Sequence, residues 1–153
     1  MYICVDFDGT CVEHDFPHVG KEIGAAPVLR YLAKNHKLIL YTMRGDSDTC
    51  GDKKYTFLSD AVEWFRQHDI PLYGINENPR AKFSDSPKVH ADIYIDDRAL
   101  GIPLDSNKNV DWIECAKLLQ RMGLIDGIDM DNLIKQIIHE KITGNEIQNQ
   151  RSY

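Results

Sequence analysis

Four runs of this chain are dominated by apolar residues yet are too short to be helices: residues 2–6 (YICVD), 37–42 (KLILYT), 69–76 (DIPLYGIN) and 91–96 (ADIYID). A strand with one face in water alternates apolar and polar residues. Runs without that alternation are covered on both faces, as in a parallel sheet. Between them lie segments of helical period. Residues 25–35 place Val28, Leu29 and Leu32 on one side, with Pro27 suited to a first turn. Residues 53–68 carry Phe57, Leu58, Ala61, Val62, Trp64 and Phe65 at helical spacing, most simply as core. Helices are expected again over 111–122 and 129–141, and residues 101–105 (GIPLD) read as a short fifth strand or a loop. Strands that alternate with helices predict an α/β fold: a doubly wound, Rossmann-like, mostly parallel sheet with helices on both faces. The length of 153 residues suits one domain, expected over 1–141, followed by a polar tail at 142–153 that would fray.

Composition removes several classes of function. No apolar run approaches the roughly 20 residues of a membrane span. The start of the chain lacks the basic, apolar and small-residue succession of a secretory signal, so a cytoplasmic location is expected. Cys4, Cys11, Cys50 and Cys115 form no C-x-x-C pair and no zinc spacing, and reduced thiols are expected. The six histidines are scattered. A net charge of −6 at pH 7 argues against a general nucleic-acid scaffold. Nor do aromatic and basic residues interleave along the chain in the way that stacks single strands.

The chemistry sits where the apolar runs stop. The first ends on Asp6, with Asp8 and Gly9 just beyond; the second on Thr42; the fourth on Asp96 and Asp97. Open parallel sheets bind ligands beyond the carboxyl ends of their strands, so these groups converge although they are far apart in sequence. Four carboxylates at one place repel one another unless a cation joins them. Oxygen ligands without Cys or His favour magnesium, which also accepts substrate phosphate oxygens.

These stretches resemble the motifs of the haloacid dehalogenase superfamily in family order. DFDGT is similar to its first motif, LILYTMR to its second, Lys88 in KVHADIYIDD to its third and IYIDDR to its fourth, together spanning residues 2–97. The resemblance implies a HAD-like fold and assigns roles residue by residue. Asp6 is the nucleophile that forms an aspartyl-phosphate, and Asp8 the general acid and then base. Thr42 and Lys88 hold the phosphate, and Lys88 also balances the acids; Lys82 competes for that role. Magnesium is held by Asp6, the main-chain carbonyl of Asp8, and Asp96, with Asp97 orienting or exchanging places with Asp96. Gly9 permits a sharp turn and offers its N–H to the phosphate. Arg44 and Arg98 stand ready for a second phosphate or the substrate, and His14 and His18 lie on a flap over residues 11–20. The spacings leave no room for a separate cap domain. The expected activity is therefore magnesium-dependent hydrolysis of a phosphomonoester, with a small molecule as the favoured substrate. A nucleotide or polynucleotide end is the alternative substrate. A non-catalytic phosphate- or phosphopartner-binding module is the alternative of another class.

Overall fold

The four apolar runs become the strands of one parallel sheet in the computed structural model, which describes residues 1–50, 53–81 and 83–151, without the side chains of 48–50, 53 and 145–151. In chain order the elements are β1 (Tyr2–Val5), α1 (Ala25–Ala33), β2 (Lys37–Leu40), β3 (Asp46–Cys50), β4 (Lys53–Thr56), α2 (Phe57–Gln67), β5 (Gly74–Ile75), β6 (Ile93–Ile95), α3 (Trp112–Arg121) and α4 (Met130–Arg151); a 3-10 turn at Gly127–Asp129 leads into α4. The sheet order is β5-β2-β1-β6. Central β1 pairs with β2 from Tyr2–Lys37 to Val5–Leu40, and with β6 from Ile3–Ile93 to Val5–Ile95. The chain moves outward from β1 through β2 to β5, then returns past β1 to lay down β6. The reversal falls between β1 and β6, so their carboxyl ends flank the crevice where such sheets take ligands.

The pleat sends alternate residues to opposite faces. Ile3, Val5, Leu38, Leu40, Ile93 and Ile95 face one core, shared with Leu29 and Leu32 of α1, Trp64 and Phe65 of α2, Ala116 and Leu119 of α3, and Leu133 and Ile137 of α4. The other face carries Cys4, Ile39, Tyr2, Tyr41 and Tyr94, packed by Tyr73 and by Val89 and Ala91 of the β5–β6 crossover. The expectation of helices on both faces is thus corrected: all four α-helices of the described residues pack on one. The reason lies in the crossover, whose polar stretch from 77 to 88 lacks helical period and carries Pro79 and Pro87. Proline removes a helical N–H donor and disfavours helical geometry in the residue before it.

Two anchors seat the helical layer. The Glu22 carboxylate accepts N–H bonds from Gly24 (2.6 Å) and Ala26 (2.8 Å), filling the donors left open at the start of α1. Gly24 has φ +99°, and a Cβ there would lie 2.5 Å from Cγ2 of Ile137, so its bareness lets α4 close on α1. Trp112, fully buried at the start of α3, donates from Nε1 to the Thr10 carbonyl at 2.6 Å and ties this layer to the turn after β1.

Some expected bounds shift. Before α2 the chain forms the antiparallel β3–β4 hairpin, with Asp46 opposite Thr56 and Ser47 opposite Tyr55. The helix expected from 53 accordingly starts at Phe57, where the Asp46 carboxylate accepts from the Leu58 and Ser59 N–H groups at 2.9 and 3.0 Å. The helix expected over 129–141 continues to Arg151, through residues read as a fraying tail. Leu104 forms an isolated bridge with Val110 in place of a fifth strand. Cys4, Cys11 and Cys115 are buried free thiols. No described helix is long and apolar enough to cross a membrane.

Candidate active site

β1 and β6 end side by side because Val5 is paired with Ile95, and the Asp6 N–H continues the ladder to the Ile95 carbonyl at 2.9 Å. The next residues of each strand therefore meet. One carboxylate oxygen from each of Asp6, Asp96 and Asp97 lies within 4.8 Å of the others. At that distance, and at the effective dielectric typical of protein sites, each pair of charges repels by about 3 kcal/mol. Burial, and then the charges of Asp96, Asp97 and Asp8, push the Asp6 carboxyl up to about 7. Burial also raises Asp97. A hard divalent cation is the fitting third party, since the donor set is all oxygen.

The turn after β1 holds this cluster in register. Thr10 is fully buried. Its hydroxyl donates to Asp6 Oδ2 at 3.4 Å and accepts the Asp97 N–H at 3.0 Å, linking the two acidic strand ends. Gly9 has φ +76°, and a Cβ there would lie 2.8 Å from Asp97 Oδ2, so only glycine lets that carboxylate approach. The expected offer of the Gly9 N–H to a phosphate is corrected: it donates to the Val12 carbonyl at 2.8 Å, closing the turn into the flap. Gly9 serves the site through its missing side chain.

Asp8 stands apart from the cluster. Its carboxylate is clamped by Arg44, from Nε to Oδ2 at 2.7 Å and from Nη2 to Oδ1 at 2.6 Å. Arg44 is 3% exposed. Its remaining donors go to the carbonyls of His18 (2.6 Å), Pro17 (3.2 Å) and Phe57 (3.5 Å). A guanidinium has five N–H groups, and all five are committed. The rings of Phe7 and Phe16 flank it at 5.0 and 5.3 Å. Arg44 as a substrate-binding residue is therefore corrected: it positions Asp8 and pins the flap.

The cleft in front of the acids measures about 380 Å³. Thr42 lines it opposite them. The Thr42 N–H donates to Asn76 Oδ1 (2.8 Å) and its hydroxyl oxygen accepts the Arg44 N–H (3.2 Å), which leaves the hydroxyl proton to donate into the cleft. Fully exposed Met43 and half-exposed Phe16 form the rim. Arg98 bonds Asp97 Oδ2 through Nε at 3.1 Å and reaches His14 Nε2 at 3.4 Å. His14 lines the cleft, whereas His18 contributes its carbonyl to Arg44.

Lys88 is not among the residues lining the cleft. It is exposed on the crossover, with Nζ over the Tyr94 ring, 5.5 Å from its centroid. This corrects the expectation that Lys88 balances the acids directly; in this conformation the cations at the cleft are Arg44 and Arg98. Lys82 lies outside the described residues. Thr10 and Asn76 were not legible as site residues. Thr10 does belong to the DFDGT stretch, where a hydroxyl four residues after Asp6 in a tight turn is a usable signal.

No protein-family model matches the chain, and no curated protein matches it. Among solved structures, a conserved protein of Bacteroides thetaiotaomicron is similar, at 34% identity and a TM-score of 0.62, over 80% of this chain and 91% of that one.

Proposed function

This chain belongs to the family of the conserved Bacteroides thetaiotaomicron protein, and for it we propose a magnesium-dependent phosphomonoesterase activity of the haloacid dehalogenase type, with Asp6 as nucleophile. The observation that carries the proposal is the convergence of Asp6, Asp96 and Asp97 within 4.8 Å at the reversal point of the sheet, with Thr42 across the cleft.

Asp6 attacks phosphorus; the new O–P bond forms as the bond to the leaving oxygen breaks. That oxygen takes a proton from Asp8. A water then attacks the aspartyl-phosphate, Asp8 takes its proton, and Asp6 is released with inorganic phosphate. The clamp suits Asp8 to the second step, where a carboxylate must be held in place. For the first step Asp8 must carry a proton on one of its oxygens, which the clamp opposes because Arg44 favours the charged carboxylate. Thr42 donates its hydroxyl proton to a phosphoryl oxygen. Magnesium, held by Asp6, Asp96 and the Asp8 carbonyl, with Asp97 behind or in place of Asp96, would supply charge neutralisation for the phosphoryl group. Lys88 joins only by leaving Tyr94, an exchange opposed by about 0.5–1 kcal/mol of cation–π attraction at an exposed site.

The test is turnover of an aryl phosphate with and without magnesium, in the native chain and in Asp6→Asn. The expected result is metal-dependent hydrolysis, reduced about 10³-fold or more in the variant. Equal turnover by the variant removes Asp6 as nucleophile. Phosphate and metal binding with no turnover by either protein would favour a binding module.

A further inference from the structure

The sheet face without helices has a character of its own. Tyr2, Tyr41, Tyr73 and Tyr94 come from four different places in the chain and are gathered there, each half-buried. Tyr41 lies 6.3 Å from Tyr94, and Tyr2 lies 5.6 Å from Tyr73, between ring centroids. His90 extends the second group, 6.2 Å from Tyr2 and 5.6 Å from Phe83, which is 77% exposed.

Cations stand on these rings. Lys88 Nζ is 5.5 Å from the Tyr94 centroid and Lys37 Nζ is 5.6 Å from that of Tyr73. Arg80 lies within electrostatic reach of the Tyr73 hydroxyl. Each of these two ring faces carries a lysine, which an incoming base would have to displace. Acids stand beside the face as well: Asp92, whose carboxylate accepts the Tyr2 N–H at 2.7 Å, and Glu77 and Asp85 on the crossover.

The two aromatic groups are ordered relative to the cleft. Tyr41 immediately precedes Thr42, and Tyr94 lies two residues before Asp96. Tyr2 is four residues before Asp6, about 13 Å further from the acids along the strand. Rings paired with cations, repeated along strands that lead to the acidic cleft, are what a flexible polyanion of stacked rings requires. A peptide would use the cations but has no need for a row of aromatic rings.

We propose that this tyrosine face binds a single-stranded polynucleotide whose bases stack on the rings and whose phosphates take up Lys37, Lys88 and Arg80, leading its phosphorylated end to the acidic cleft. A base settling on Tyr94 displaces the Lys88 ammonium and frees it for a phosphate. The part that concerns the phosphorylated end rests on the phosphatase reading; the binding face does not.

The experiment separates the two. Fluorescence anisotropy of labelled dT10 and rU10, without terminal phosphates and in EDTA, measures the face alone. Binding of either is expected at 50 mM salt, with a log–log salt slope of about −2 for up to three phosphate contacts. Tyr73→Leu and Tyr94→Leu should each weaken it about 5- to 100-fold, as expected for loss of one stacked base, while Tyr94→Phe restores it. Circular dichroism checks that the leucine variants fold. Tyr73→Leu should leave aryl phosphate turnover unchanged. The proposal is overturned if neither oligonucleotide binds, if the leucine variants fold and bind as the native chain does, or if an acidic peptide of equal charge binds as tightly. Absence of aryl phosphate turnover would sink the phosphatase reading and leave the binding result to stand or fall by itself.

Discussion

Half-buried Asp6 at the end of β1 and buried Glu22 before α1 are both carboxyls pushed up to about 7, and they reach that state by different routes. For both, burial is the largest cause. Glu22 is then eased by the N–H groups at the start of α1, a finished structural arrangement. Asp6 is eased by the Phe7 N–H and is opposed by three carboxylates, Asp96, Asp97 and Asp8, where Glu22 is opposed by Glu140. A carboxyl whose remaining neighbours satisfy it is part of the scaffold. One whose neighbours mostly repel it is a place where a cation would be stabilising. Asp8, only two residues from Asp6, is the third case, a carboxylate already answered by a buried guanidinium.

The harshest way to break this contrast is to turn Asp8 into the unanswered case. Arg44→Met leaves the largely buried Asp8 charge without its guanidinium and frees the Pro17 and His18 carbonyls. A loss of about 3–5 kcal/mol is expected in urea denaturation; a loss under 1 kcal/mol would mean that the clamp contributes little.

A gentler test uses pH. The folded values of Asp6 and Glu22, about 7, lie above the unfolded ones near 4. Between these limits the folded state holds more protons than the unfolded state. The stability associated with each group is therefore fully present below about pH 4 and lost as pH rises through about 7. Each group accounts for on the order of 3 kcal/mol in metal-free protein. Magnesium at a hundredfold excess over its Kd should restore about 2.7 kcal/mol at pH 8, several degrees in Tm, by acting on Asp6 and not on Glu22. Thermal melts from pH 4 to 8 with and without magnesium measure this, and identical melts would argue against a metal at the cluster.

Glu22→Gln then sharpens the comparison. It should remove about half of the metal-free decline between pH 5 and 8, and nearly all of what remains in magnesium, while keeping one N–H bond at the start of α1. An unchanged slope would locate the titration elsewhere. The smallest effect belongs to Lys88→Ala, which should cost less than about 1 kcal/mol in stability because only an exposed cation–π contact is lost. A fall in aryl phosphate turnover well beyond that scale would show that Lys88 reaches the cleft during the reaction.

The parallel sheet was legible because β1, β2 and β6 are covered on both faces and cannot tolerate polar interruptions. The position of the acids was legible for the same reason: a strand end is where an apolar run stops. The missing helix on the tyrosine face was harder to read. Alternation of strands and helices implies a crossover on each face, but whether a crossover is helical depends on its own period, and the stretch around Pro79 and Pro87 has none. The β3–β4 hairpin escaped notice because its sequence, DSDTC and KKYT, is mostly polar and shows no apolar alternation.

Within the site, Asp6, Asp8, Thr42, Asp96 and Asp97 were found from their places beside strands, which depend on local order along the chain. Arg44 and Lys88 were found as residues but not as roles. A long cationic side chain reaches whichever partner is least hydrated, and that partner is set by the packing of Phe7, Phe16 and Tyr94 around it. The sequence by itself determined which residues stand at the strand ends, since those positions follow from short-range burial along single strands. Only the tertiary structure decided which cation meets which acid, and that four tyrosines share one face, because both depend on strand order and register between segments separated by tens of residues.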